Sequence, residues 1–411
     1  GKNTIVWDAA ANTTTDWKAT VTAGSFPVSG TDYPRLVCSW RGRMVLSGIK
    51  SDSSNWFMSA IGSPLNFDYS PAIVLESQAI SGNTPEIGKV PQPVNCLLPY
   101  SDDILVFGAD HSIWQMTGDP MAGGRVDLVS DVTGMAWGES YCNSPNGTIY
   151  FTGSTGGLYS MSPGNRPERM SAARIESRLD AIDMDSSIIR MVWNDRTPGF
   201  HMFVTSLTAS NSDLHYFWDA RLDAFFPEQF GAQILNPVTV WTIDGDSAED
   251  RDVLIGCQDG YVRRFSDTAE NDDAAGFQSY VMIGPISVQQ EEVPFVLSEL
   301  RAILRAGSDD LDYAVFAADS SEAASDAAGL LITIDGLPVG MESGNLVELS
   351  QGDHLAAHSR GTVADVRSQT VFPRARGFAI YVKLYAGPAS WSIESIAARL
   401  NAIASSRGRK L

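Results

Sequence analysis

Four stretches of this chain repeat one pattern. "RMVLSGIKSDSSNWFMSAIG", "DILVFGADHSIWQMTGDP" (Asp103 to Pro120), "GTIYFTGSTGGLYSMSPG" (Gly147 to Gly164) and "DVLIGCQDGYVRRFSD" (Asp252 to Asp267) each carry a β-branched and aromatic strand to a glycine, at Gly48, Gly108, Gly153 and Gly256. Each then turns and starts a second strand with an aromatic: Trp56, Trp114, Tyr159 or Tyr261. Another short strand lies upstream: "RLVCSW", "VNCLLPY", "ESYCNSP" and "VTVWTIDG". A fifth, looser copy spans Ile188 to Phe230, with Thr205 where the others have glycine. The spacing of roughly 45 to 60 residues is the period of four-stranded propeller blades.

A blade cannot bury both of its faces alone, so stacking blades makes one core from weak units. The glycine is expected to allow a positive φ in the mid-blade hairpin. The aromatic is expected to fill the wedge between blades. Five blades are legible, and a sixth is expected from the chain ends, from "TIVWD" and from "FQSYVMIG" at Phe277. Beyond about residue 290 the strands lengthen and alternate, as in a β-sandwich. The closing "IESIAARLNAIASS" fits either a strand or a short helix.

The expected fold is therefore all-β, a β-propeller of five to six blades followed by a β-sandwich-like C-terminal domain. Residues 1–32 read as an extended N-terminal arm, 33–290 as the propeller and 291–400 as the sandwich. An Ala/Ser/Gly/Asp-rich insertion occupies 320–361, and 401–411 is a basic tail.

Composition limits what such a chain can do. With 44% hydrophobic and 9% aromatic residues it can bury a core. No window approaches the ~18 uninterrupted apolar residues of a membrane helix, and "GKNTIVWDAA" lacks the apolar run of a signal peptide, so cytoplasmic synthesis is expected. A net charge of −20, from 49 acidic and 29 basic residues, opposes binding to nucleic acid or anionic lipid. It does not oppose DNA sliding past a wall that repels phosphate.

Candidate chemistry is thin. Cys38, Cys96, Cys142 and Cys257 form no C-x-x-C pair, which leaves a structural zinc site without support and favours buried free thiols. Cys38, Cys96 and Cys142 fall 10 to 12 residues before their glycines, as if at one structural position. The cluster "DGDSAEDRD" (Asp244, Asp246, Glu249, Asp250, Asp252) alternates oxygen ligands like a calcium loop. It lacks that loop's central glycine and terminal glutamate, so a solvated hairpin tip is the better reading. "DAIDMDSS" and "GSDDLDY" read the same way. His354 and His358 have zinc-ligand spacing, but no glutamate follows His354. "SDSSNWF" faintly echoes a sialidase Asp-box, and "MAGGRVD" lacks the G-K-[ST] of a phosphate loop. No G-x-S-x-G elbow occurs. No catalytic residue, metal or cofactor is called.

The first unit, "RLVCSWRGRMVLSGIKSDSSNWFMSAIGSPLNFD", is similar to a signature of the tail nozzle proteins of short-tailed bacteriophages, also called tail tubular protein B. The matching positions are Gly42, Arg43, Gly48, Trp56, Ser59, Gly62, Pro64, Asn66 and Phe67. "DILVFGADHSIWQMTGDP" resembles the following blade, and "RARGFAIYVKLYAGPASWSIESIAARL…SRGRK" the closing strands and basic tail. The best-known members are longer and carry additional domains.

The resemblance implies a non-enzymatic virion protein, one subunit of a sixfold ring below the portal and the head–tail adaptor. Its partners would be itself, the adaptor or connector proteins and tail fibres, with double-stranded DNA crossing the channel without specific binding. The alternative is a glycan-binding or glycan-degrading propeller. That would need acids, arginines or aromatics gathered at one rim, and Asp110, Asp195 and Asp219 form no such pattern. A peptide-binding scaffold is disfavoured by the absence of WD and kelch signatures.

Overall fold

A computed structural model describes residues 5–28, 31–171, 175–208, 213–243, 245–247, 251–266, 269, 271–277, 279–286, 295–305, 308, 311–318, 333–334, 337–338, 359–363, 368–377, 379–386 and 391–402. The fold is all-β. Two compact units divide the chain, one of residues 1–228 and 236–265, the other of 229–235 and 266–411.

The first unit is a β-propeller with five blades among the described residues. Blade 1 takes Leu36–Trp40, Arg43–Ile49, Asp52–Met58 and Ile80–Ser81 in that order. Blade 2 is Val94–Ser101, Ile104–Ala109, Ile113–Thr117 and Arg125–Ser130; blade 3 is Tyr141–Asn143, Ile149–Thr152, Leu158–Met161 and Glu168–Arg169. Blade 4 is Ser187–Asn194, Gly199–Ser206, Leu214–Asp219 and Ala224–Glu228. Blade 5 has three strands, Pro237–Thr242, Val253–Cys257 and Val262–Arg264. Every neighbouring pair within a blade is antiparallel.

Alternating strand residues explain the cores between blades, because both faces of an inner blade are covered. Trp56, Met58, Val94 and Phe107 share one cluster between blades 1 and 2. Cys96, Val106, Ile149 and Phe151 share another between blades 2 and 3, and Tyr150, Met191, Phe200 and Met202 a third between blades 3 and 4. Thr205, which replaces the repeat's glycine, is buried and donates to the Pro237 carbonyl of blade 5 at 2.6 Å.

Three of the repeat's four glycines do a different job from the one expected. Gly48 has φ +73°, but Gly108, Gly153 and Gly256 do not enter the left-handed region. Close approach is what excludes a side chain there: a Cβ on Gly108 would lie 2.5 Å from the Met135 Cβ, and one on Gly256 2.4 Å from Thr239 Cγ2. The aromatics also diverge. Trp56 is fully buried, whereas in blade 5 Arg263 pairs with Ile255 as Trp114 pairs with Phe107, and Tyr261 lies ahead of the strand, 69% exposed. Cys38 and Cys142 both pair with the residue three before their glycine (Val45 and Tyr150), but Cys96 pairs with Gly108 itself, so the three thiols do not share one position.

The expected sixth blade does not form. Ile5–Asp8 pairs with Thr13–Asp16 as a hairpin of its own, and Ser279–Ile286 pairs with Ala379–Ala386 in the second unit. That pairing also moves the start of the second unit from 291 back to 266. The N-terminal segment is more than an extended arm. Asp16 caps a single helical turn, Trp17–Thr20, and Ala23–Gly24 pairs in parallel with Asn66–Phe67. Trp17 and Phe26 are buried with Leu46, Phe57 and Phe67 against the face of blade 1 turned away from blade 2.

The second unit is a β-sandwich. One sheet orders Ser279–Ile286, Ala379–Ala386, Leu311–Ala318 and Ser359–Val363. In the other, Phe295–Leu304 pairs with Ser368–Val371, Ala375–Gly377 and Ile393–Ala402. Leu297, Leu300 and Leu304 of one sheet meet Leu311, Val315, Val382 and Leu384 of the other in a single core. Residues 393–402 thus settle as strand rather than helix. Of the 320–361 insertion, only Thr333–Ile334, Leu337–Pro338 and the start of Ser359–Val363 are described; the tail from 403 lies outside the described residues.

Candidate functional site

Of the nine residues singled out in blade 1, Gly42, Arg43, Ser59, Gly62 and Asn66 come together as one joint, while Gly48, Trp56, Pro64 and Phe67 serve other parts of the blade. Arg41 and Gly42 both have positive φ (50° and 69°), making a tight turn that delivers Arg43 into the blade interior. Arg43 is 1% exposed. Its Nη1 donates to the Ser59 carbonyl at 3.0 Å and to the Gln78 carbonyl; its Nη2 donates to the Glu76 carbonyl at 2.8 Å. Nη2 also lies 3.5 Å from both carboxylate oxygens of Asp119 in blade 2. Burial lowers the guanidinium's pKa and the Asp119 charge opposes that, so the cation is held by four acceptors and not by water.

Ser59, Gly62 and Asn66 build the walls of the joint, and the other four positions lie elsewhere in the blade. Gly62 N–H donates to the Gly42 carbonyl at 2.8 Å, with Gly62 itself at φ +69°. Ser59 Oγ accepts from Met44 N–H at 2.9 Å and donates to the Ala60 carbonyl. Asn66 accepts from Ala60 N–H through its carbonyl and from Asp68 N–H through its side chain. Phe67 enters the core beneath the arm, and Trp56 enters the blade 1–2 core with Nε1 on the Gly88 carbonyl at 3.2 Å. Gly48 passes beneath Leu36 and Trp137. Pro64 sits in the exposed 61–65 turn. The joint therefore fixes backbone: both terminal nitrogens of Arg43 are engaged with structure, and its buried Nε has no hydrogen-bond partner.

Asp119 is the partner that the sequence reading missed. It also caps the turn Pro120–Ala122, accepting from Met121 N–H at 2.8 Å, and "TGDP" is the N-cap signal that could have found it. The joint also supports a loop with Ile73, Val74 and Leu75 exposed by 72, 73 and 56%.

Two buried histidines of blade 4 were likewise not singled out. His201 Nδ1 lies 2.9 Å from Glu228 Oε2, with its ring stacked on Phe265. His215 Nε2 lies 3.1 Å from Asn236 Oδ1, and burial lowers its pKa against the opposing pull of Asn236, Asp213 and Glu228.

The other candidates fall in place as structure. Asp110 accepts from Asn95 Nδ2 at 2.6 Å, and Asp219 is ion-paired with Arg221 at 2.7 Å. Asp252 bridges Arg196 and Arg264 at 2.9 and 3.2 Å. Asp183 closes its own turn, accepting from Asp185 N–H and Ser186 Oγ–H. Asp244, Glu249, Asp250, His354 and His358 lie outside the described residues. Among the described residues no three His, Cys, Asp or Glu converge as a metal site would need.

No family model matches the chain, and no curated protein matches it. Among solved structures it is similar to the extracellular domain of a hybrid two-component system of B. thetaiotaomicron, at 9% identity and TM-score 0.37, over 59% of this chain and 28% of that one. The chain thus spans under a third of that protein's length. It is similar to BBS1N, solved in complex with ARL6DN, at 8% identity and TM-score 0.35, over 60% of this chain and 69% of that one. It is similar to the tricorn protease at 8% identity and TM-score 0.32, over 61% and 22%. At such scores these likenesses add nothing on function.

Proposed function

We propose that this protein is a structural subunit of a short-tailed phage tail, a nozzle or tail-tube component in a ring around the DNA ejection channel. The observation that supports this is the blade 1 joint. The residues that carry the resemblance are spent on architecture, with Arg43 tying two blades and a loop together, as a non-enzymatic load-carrying part requires. The net charge of −20 fits a wall past which DNA slides without adhering. In this reading the protein contacts identical neighbours in a sixfold ring, the head–tail adaptor above and tail fibres at the side.

Quantitative peptide mass spectrometry of purified particles tests this. A copy number near one half of the portal protein's is expected for a sixfold ring on a twelvefold portal. Absence from particles overturns the reading.

A further inference from the structure

The chain passes between its two units three times, after Glu228, before Asn236 and after Phe265. Glu228 ends the last strand of blade 4, Asn236 precedes the first strand of blade 5, and Phe265 follows the third. Two histidines of blade 4 hold all three residues. His201, on Gly199–Ser206, and His215, on Leu214–Asp219, are each 5% exposed.

His201 holds two of these strand ends. Asn194 Oδ1 accepts from the N–H groups of Arg196 and Thr197 at 3.0 and 3.2 Å, which turns its amide nitrogen toward His201 Nε2, 3.2 Å away. Nε2 therefore accepts, and Nδ1 carries the proton and donates to Glu228 at 2.9 Å. Phe265 covers the face of the same ring, with centroids 4.8 Å apart and planes 14° from parallel.

His215 holds the third. Asn236 Nδ2 donates to Asp213 Oδ2 at 2.6 Å, which points Asn236 Oδ1 at His215 Nε2, 3.1 Å away. Nε2 is thus the donor of the neutral ring. Asp213 is itself fixed, accepting from Ser206 N–H at 2.7 Å, and the Asn236 carbonyl accepts from Gln258 N–H at 3.2 Å. The charged groups facing His215 are Asp213 and Glu228, the latter directly across the ladder, and Phe203 meets the ring edge-on. Burial outweighs the pull of Asn236, Asp213 and Glu228 and holds the ring below the ordinary histidine value. Beyond Asn236, residues 229–235 belong to the second unit, where Gly231 N–H donates to Asp272 Oδ2 at 2.9 Å.

We propose that the two histidines latch these three strand ends and that His215 is the acid-sensitive catch: in mild acid the Asn236 end comes free while the blades stay folded. The opened junction admits water to the ring and binds a proton that the latched one refuses. The hold is therefore full above about pH 6.5 and weakens as pH falls. Between pH 7 and 5, protonation of an opened ring of ordinary pKa raises the opened fraction by up to roughly 25-fold. The latch operates within one chain and does not depend on the ring reading above.

Hydrogen exchange of the full chain, expressed as protection relative to the unstructured rate at each pH, tests this. The reporter is the Gln258 amide, whose acceptor is the Asn236 carbonyl. The reference is Val106 and Phe107, in a blade 2 strand paired on both sides. Gln258 is expected to be less protected than the reference at both pH values, and its protection to fall by up to that factor from pH 7 to 5. His215→Gln keeps a donor within reach of Asn236 but does not titrate, and is expected to abolish the fall. His201→Asn keeps a donor toward Glu228 and is expected to retain it. Asn236→Ala, which leaves the histidine and removes its partner, is expected to lower protection at Gln258 already at pH 7 with the reference unchanged. Equal protection at Gln258 and in blade 2 would mean that the junction opens only with the whole propeller, and overturns the proposal. So does a fall that persists in His215→Gln or vanishes in His201→Asn, and so does unchanged protection at Gln258 in Asn236→Ala.

Discussion

Arg43 of blade 1 and Asp119 of blade 2 face each other at 3.5 Å across a buried gap, the arginine fully covered and the aspartate side chain 10% exposed. Removing the guanidinium leaves three carbonyls without their donor and deprives the Asp119 carboxylate of its buried cation, leaving it Met121 N–H and Arg41 at 3.8 Å. Arg43→Ala is therefore expected to destabilise by roughly 3–5 kcal/mol, read from the midpoint of urea unfolding. Arg43→Lys keeps the charge but has no fork to span three carbonyls, and should fall between the two.

Gly108→Ala is expected to cost about 1–3 kcal/mol through overpacking. Its new Cβ would sit 2.5 Å from the Met135 Cβ, 2.6 Å from the Sδ and 2.7 Å from the Cγ. Backbone strain plays no part, since φ is not positive there. The thermal melt measures it.

The N-terminal segment should matter unevenly. Trp17 is 7% exposed, with its ring centroid 5.4 Å from that of Phe26, so Trp17→Ala is expected to cost about 3–5 kcal/mol. Trp7 is mostly in solvent, and in the monomer Trp7→Ala should shift stability by less than ~0.5 kcal/mol. Equilibrium unfolding of both variants at one low concentration separates the two roles.

His215 predicts an acid limit. Burial sets its folded pKa below 6.5, so below about pH 6.5 the unfolded chain binds a proton that the folded chain refuses. Stability should therefore decline as pH falls from about 6.5 toward the folded value and then level for this group. His215→Asn should remove that slope between pH 6.5 and 5, in denaturant titrations at each pH. Equal slopes in the two proteins would show that His215 is not its source.

The blades were legible because alternation and turn spacing are local properties, repeated often enough to stand out. Register was not: a slip of one or two residues leaves the hydrophobic pattern readable but moves a named side chain. Cys96 and Tyr261 were misplaced for that reason. The chain-end blade failed because Ile5–Asp8 finds a partner five residues later and Ser279–Ile286 finds one about a hundred residues later, and a strand's sequence does not name its partner. The joint was legible only in part. The nine positions stand in one stretch that includes Ser59, but the other three acceptors of Arg43 come from Glu76, Gln78 and Asp119, beyond the reach of any short pattern. Trp241 and Val262, 70% and 67% exposed in blade 5, read like any inward-facing strand residues, since alternation does not say whether a neighbour covers the second face.

The first strands of blades 1 to 3 each hold a thiol that burial keeps protonated, Cys38 pushed up to about 12 and Cys96 and Cys142 also raised. At neutral pH the reactive thiolate of Cys38 is then roughly one molecule in 10⁵. None of the four cysteines is bridged. Burial thus makes these three thiols poor nucleophiles, and blades 1 to 3 hold their strands together by packing and backbone ladders with no disulfide among them.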